Sequence, residues 1–149
     1  MEIKFKPREF GMKDKTKATF IVGLSPNKQR KKDTNGEVFH GNKIGDLVEE
    51  SIKGKENIFL TNVTNTYVSD RELSAVDITK GLVELKEDLK KYKPKKVIAL
   101  GASAAKQIEG LAKEKDIVKF SLVKEQHPSY VLRFNKGVVE YKKKLKESV

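Results

Sequence analysis

The chain reads as a single α/β domain, a three-layer αβα arrangement around a central four-stranded parallel sheet. Three observations predict this. Four short apolar runs, Ala18 to Leu24, Asn57 to Thr61, Lys96 to Leu100 and Ile117 to Val123, have the length and composition of buried strands. Between them the apolar residues recur at the helical period, and strands that alternate with helices join in parallel with both faces covered. The stretches that follow the four runs are polar, and ligands of open α/β sheets bind beyond the carboxyl ends of the strands.

In chain order, residues 1–17 are basic and irregular, with Pro7 and Gly11, and read as a lead-in to a domain spanning 18–149. The first run, ATFIVGL, stops at Ser25-Pro26, where a missing N–H ends a ladder. Residues 25–38 form a polar loop with an Asn35-Gly36 turn and four cations between Lys28 and Lys32. A loop of that length inside a domain points to function or disorder. Phe39 closes it. From Lys43 to Lys53 a helix places Ile44, Leu47, Val48 and Ile52 on one face, and Gly54 ends it.

The second run leads into the polar segment Asn62 to Tyr67. A helix within Ser69 to Tyr92 aligns Ile78, Leu82, Leu85 and Leu89, with Pro94 at its exit. The third run turns at Gly101-Ala102-Ser103 into a helix through Lys113 that buries Ala105, Ile108 and Leu111. The fourth run alternates at Val118, Phe120 and Leu122. Gln126 to Arg133, QHPSYVLR, then reads as a shaped loop, because Pro128 fixes a dihedral and removes a donor. A last helix, Lys136 to Glu147, carries Val138, Tyr141 and Leu145 on one face.

The 149 residues suffice for one domain with a real core. Lys and Arg number 32 against 21 Asp and Glu, a formal charge of +11 that favours polyanionic partners, nucleic acid first. There is no cysteine, which excludes disulfides, thiolate metal sites and cysteine-held iron–sulfur clusters and fits a reducing cytoplasm. MEIKFKPREF shows no signal-peptide core, and no apolar run reaches membrane-spanning length.

Parallel topology gathers four segments into one cleft: SPN, TNVTNTY, GASA and QHPSYVLR. Phe39, an aromatic in a polar loop, either stacks on a planar base or plugs the loop onto the core. Asn62 offers a donor and an acceptor together, as the edge of a pyrimidine imide requires, or bonds its own turn. Ser25 and Ser129 hold phosphate oxygens, orient water, or make turn bonds. Gly101 lets backbone approach a phosphate, or serves an ordinary strand-to-helix turn. His127 hydrogen-bonds or carries charge according to its surroundings.

In order along the chain, GLSPN (23–27), EVFHGNKIGDLV (37–48), LTNVTNTY (60–67), KKVIALGASAAKQI (95–108) and HPSYVLR (127–133) resemble the uracil-DNA glycosylase superfamily. The closest look is to its thermophile-type bacterial and archaeal branches, over about residues 18–134. The resemblance implies base excision from DNA: hydrolysis of the N-glycosidic bond of uracil, or of a related modified pyrimidine, after the base has been flipped out of the stack.

It also implies roles. Phe39 stacks on the flipped base and Asn62 reads its polar edge. His127 hydrogen-bonds the base oxygen that gains charge. Gly23, Pro26 and Ser129 shape the backbone around base and phosphate, and Val131 or Leu132 is the wedge entering the duplex. Tyr130, Arg133, Ser103, Lys28 and Arg30 join the DNA contacts. The cluster cysteines of those branches are absent, so no cofactor and no metal is implied. Where the family positions its attacking water with an acid or amide, this chain has Leu24 and Ser25, and in the Phe39 loop Asn42. Two other readings stay open: a non-catalytic DNA-binding or regulatory protein on the same fold, and a binder of a free nucleotide. The expectation is a monomeric, cytoplasmic protein associated with the nucleoid, of a size and lysine content that suit a phage or a small genome.

Overall fold

The computed structural model describes residues 2–26, 36–40, 42–68, 72–134 and 137–149. Seven strands, five α-helices and one 3-10 turn at Lys15–Lys17 follow one another among these residues. The strands are β1 (Glu2–Lys4), β2 (Arg8–Phe10), β3 (Thr19–Gly23), β4 (Ile58–Asn62), β5 (Thr66–Val68), β6 (Lys96–Leu100) and β7 (Ser121–Glu125). The helices are α1 (Lys43–Ser51), α2 (Ala75–Tyr92), α3 (Ala102–Ala112), α4 (Pro128–Phe134) and α5 (Val138–Ser148).

The central sheet has five strands in the order β2-β4-β3-β6-β7, rather than the four expected. Four are parallel, in register Ile21↔Leu60, Ile21↔Ile98 and Ile98↔Val123. The fifth, β2, runs antiparallel on the β4 edge, Arg8 opposite Leu60. It comes from the segment read as an irregular lead-in. Only three residues pair there, too few for alternation to show in a sequence. β1 pairs with β5 in a separate two-stranded ribbon, Ile3 opposite Tyr67, and Phe5, just after β1, is 1% exposed.

Each central strand sends alternate residues to opposite faces. Phe20, Val22, Val97 and Ala99 pack with Leu85, Leu89, Ala104 and Ile108 of α2 and α3. Ile21, Leu60, Ile98 and Leu100 pack with Leu47, Val48, Val131, Tyr141 and Leu145 of α1, α4 and α5. Two cores, one on each face, make the three layers. β3 sits in the middle: the chain leaves it for β4 on one side and later returns to β6 on the other. Such a switch point opens a crevice at the carboxyl ends of the strands.

Two boundaries differ from the sequence reading. β7 begins at Ser121, not at Ile117: Ile117 is buried in the turn after α3, while Val118 is 50% exposed. The stretch expected as a loop, Gln126 to Arg133, is mostly helix α4. Pro128 occupies its first position, where the missing N–H has no partner to lose and the fixed φ suits a helix.

Candidate functional site

A narrow recess lies at the carboxyl ends of β3 and β4, lined by Ser25, Pro26, Phe39, Asn42, Ile44, Asn62 and His127. All but Ile44 were candidates from sequence. Ile44 was read as a core position of α1, and its place beside the recess had no separate signal. The space open to water is about 10 Å³, roughly what one water needs. A planar base therefore enters only as the walls part.

At the floor, Asn62 ends β4 and is 3% exposed. Its backbone N–H and its amide nitrogen both donate to Asn65 Oδ1, at 3.1 and 3.3 Å. Asn65 is itself held by donating to Thr61 Oγ1 at 3.0 Å. Asn62 Oδ1 is buried with no partner among the described residues. An orphaned acceptor of this kind costs about 1–3 kcal/mol. Asn65 orients Asn62 and was not a sequence candidate; a second Asn in a polar turn carries no pattern of its own.

Gly23, at the end of β3, makes room for this amide. A Cβ there would meet Asn62 Oδ1 at 2.6 Å and Phe39 Cζ at 3.0 Å. Phe39 is 7% exposed and belongs to the core on the α1 side as well as lining the recess. Its φ is +51°, a left-handed conformation that costs a side-chain-bearing residue about 1–2 kcal/mol. Helix α1 presses on it so closely that a Cβ on Gly45 would lie 2.4 Å from the Phe39 carbonyl carbon. Asn42 caps α1, its Oδ1 accepting the Gly45 N–H at 2.6 Å, so that oxygen is committed to the helix.

His127 closes the opposite side. Tyr141 Oη donates to the Gln126 carbonyl at 2.7 Å and anchors the approach from β7. His127 Nδ1 accepts the Ser129 N–H at 3.1 Å and lies 2.7 Å from Ser129 Oγ. Partial burial holds the imidazole pKa below its ordinary value of 6.5. A neutral ring whose Nδ1 accepts carries its proton on Nε2, which makes that atom a donor.

Beside the recess a wider groove of about 270 Å³ runs along the switch point. Leu24, Ser25, Gly101, Ser103, Ala104, His127 and Ser129 line it. It meets the N-terminus of α3, whose cap Gly101 has φ +96° and no capping side chain. Ser103 is exposed there.

The two wedge candidates differ in exposure. Val131 is 3% exposed, packed in the core, and Leu132 is partly buried against the same cluster. Helical periodicity turns them inward. The exposed apolar side chains of α4 are Tyr130 (55%) and Phe134 (51%), with ring centroids 4.8 Å apart. Phe134 lay just past the motif and went unmarked. Arg133 is exposed on the same helix. Lys28 and Arg30 lie outside the described residues.

Among the described residues no Asp or Glu lines the recess, no cluster of three or more His, Asp or Glu could hold a metal ion, and no helix is long and apolar enough to cross a membrane. Residues 10–148 match a family model described as the uracil DNA glycosylase superfamily. No curated protein matches the chain.

Proposed function

Because the chain belongs to the uracil DNA glycosylase superfamily, we propose that it excises uracil, or a related modified pyrimidine, from DNA by hydrolysing the N-glycosidic bond of a flipped-out nucleotide. One observation carries the reading to this recess: the buried, unpartnered Asn62 Oδ1 beside an aromatic ring and a neutral imidazole donor. Uracil supplies an N3–H for that acceptor and carbonyl oxygens for donors. A pocket that leaves an acceptor unpaired discriminates strongly for the ligand that pairs it.

Phe39 stacks on the base, Asn62 accepts from N3–H, and His127 Nε2–H donates to O2. As the C1′–N1 bond breaks, its electron pair moves onto the base. The His127 donor stabilises that anion, an electrostatic contribution of about 3–4 kcal/mol for one well-placed donor, while Asn62 holds the base in register through N3–H. Water adds to C1′ and its proton passes to solvent. Ser25 Oγ, at the recess wall beside Asn42, accepts an O–H of that water and orients it. The groove at the α3 N-terminus, with Ser103 and Ser129, takes a backbone phosphate, since helix N–H groups and hydroxyls donate to anions. Tyr130 and Phe134, rather than Val131, form the apolar contact with the stack the base has left, and Arg133 adds charge. Neither a metal nor a cofactor enters the scheme, and one copy of the chain provides all these groups.

A second reading, a DNA-binding protein without catalysis, is favoured by the lack of a carboxylate among the described lining residues. The deciding experiment is a glycosylase assay on oligonucleotides containing uracil opposite guanine, opposite adenine and single-stranded, with alkali to open abasic sites. Cleavage at uracil that falls at least a hundredfold in Asn62→Ala and His127→Ala proteins establishes the enzyme. Salt-sensitive binding with no cleavage of any modified base establishes the second reading instead.

A further inference from the structure

The left-handed Phe39 conformation has a support far away in sequence. Arg8, on edge strand β2, reaches under the Phe39 loop. Its Nη2 donates to the Phe39 carbonyl at 2.7 Å and its Nε to the Val38 carbonyl at 3.3 Å. The same Nη2 lies 2.7 Å from Glu49 Oε1 of α1, with the Arg8 side chain 13% exposed. Glu49 Oε1 also sits 3.2 Å from His40 Nδ1. The guanidinium thus joins the loop's main chain to the helix that follows it. Backbone bonds reinforce the join: the Lys6 N–H donates to the Gly36 carbonyl at 2.6 Å, and the Val38 N–H donates to the Lys6 carbonyl at 3.0 Å. One residue earlier, the Phe5 N–H donates to the carbonyl of Asn65 at 2.8 Å, the residue that orients Asn62.

We propose that residues 3–8 brace the base-recognition recess, with Arg8 as the positioning residue that holds Phe39 for stacking. Arg8 lies before the first residue matched by the family model. The inference rests on the base-excision reading for what the recess holds. Its geometric core does not: one short segment ties together the two loops that present Phe39 and Asn62. Arginine suits the task because a rigid planar fork meets two carbonyls and a carboxylate at once. A lysine is a compact point charge on a flexible stem, without the planar fork that fixes two carbonyls and a carboxylate in one geometry.

The test measures kcat/KM on a single-stranded uracil oligonucleotide for the parent, Arg8→Gln, Arg8→Lys, Phe39→Ala and the Arg8→Gln/Phe39→Ala double variant. It adds amide exchange of Val38, Phe39 and His40, and urea midpoints to confirm folding. If Arg8 acts through Phe39, Arg8→Gln loses about tenfold, Arg8→Lys recovers part of that, and the double variant is no slower than Phe39→Ala alone. Exchange at Val38 to His40 quickens in Arg8→Gln while β6 stays protected. Parental cleavage by Arg8→Gln, or losses that multiply in the double variant, overturns the proposal. If the parent itself cleaves nothing, the base-excision reading falls, and exchange alone decides: faster exchange at Val38 to His40 upholds the brace, unchanged exchange removes it.

Discussion

At the scale of single residues, the recess carries two local costs. An unpaired Asn62 acceptor and a left-handed Phe39 together amount to roughly 2–5 kcal/mol. Such costs persist where a ligand or a transition state recovers them. Asn62→Asp keeps the shape but exchanges an amide donor for a negative charge beside the place where the base becomes an anion. Single-turnover excision in that protein should fall by about a hundredfold or more, and the urea midpoint should fall too, because a buried carboxylate then faces Asn65 Oδ1; parental rates in the folded protein sink the role given to Asn62. Gly23→Ala forces its methyl to 2.6 Å from Asn62 Oδ1, and the expected result is lost excision with DNA binding kept. For His127 the sign is set by burial. The folded pKa lies below 6.5, so neutral imidazole is the native form. Its stability contribution is complete above pH 6.5 and is lost as pH falls through the folded value. Protonation also removes Nδ1 as acceptor for the Ser129 N–H. The single-turnover rate should stay flat from pH 8 through 6.5 and decline only below it; a decline already centred at or above 6.5 contradicts the neutral-donor role.

At the scale of elements, helix α2 shows packing overriding propensity. Gly81 sits mid-helix, where alanine is better by about 1 kcal/mol. Yet a Cβ there would meet the Val63 carbonyl oxygen at 2.3 Å and Thr64 Cα at 2.6 Å. That overpacking costs about 1–3 kcal/mol and pushes on the turn that carries Asn62. Gly81→Ala should therefore lower stability in urea titration and lower excision with it; a more stable protein means that the turn yields freely. On the same helix Asp88 is half-buried, and that burial, opposed by Lys91 and aided by Glu84 and Glu87, raises its pKa to about 6. A raised carboxyl pKa means stability that is present at low pH and lost as pH rises through about 6. Asp88→Asn should stabilise the protein at pH 7 by about 1 kcal/mol after solvent screening, with no gain at pH 4. Legibility in sequence also belongs to this scale. Helices α1, α2, α3 and α5 and strands β3, β4 and β6 came through because each carries its own period over several residues. β7 was misplaced because Ile117, Val118 and Phe120 continue an apolar pattern in a turn. α4 was hidden because Pro128, a helix breaker inside an element, is a helix starter at its first position. Phe39, Asn62 and His127 were legible as oddities in polar loops. Arg8 was not, since its partners lie 30 and 31 positions away and an edge strand of three residues has no signature.

At the scale of the whole molecule, the charge of +11 has a distribution that bears on the partner. Many acids are spent locally on the flanks: Glu114 and Asp116 on Lys86, Glu56 on Lys13, Glu50 on Lys142. These pairs are exposed or half-exposed and contribute about 0–1 kcal/mol each, so they do little for the fold. The recess itself has no acid among its described lining residues; nearby Arg133 is exposed and the α3 N-terminus opens. A cleft of that polarity attracts a polyanion more than it attracts a neutral metabolite. If the protein neutralises about five phosphates in all, the logarithmic salt slope on a single strand is about −3.5, and affinity for a short single strand falls about 130-fold between 50 and 200 mM salt. A free-nucleotide binder has one or two phosphates to offer, and its affinity falls only about tenfold over the same range. Fluorescence anisotropy on an end-labelled oligonucleotide, titrated at four salt concentrations, separates the two slopes. A shallow slope, or uridine monophosphate displacing the oligonucleotide at equal concentration, would remove DNA as the partner even if the recess proves to bind uracil.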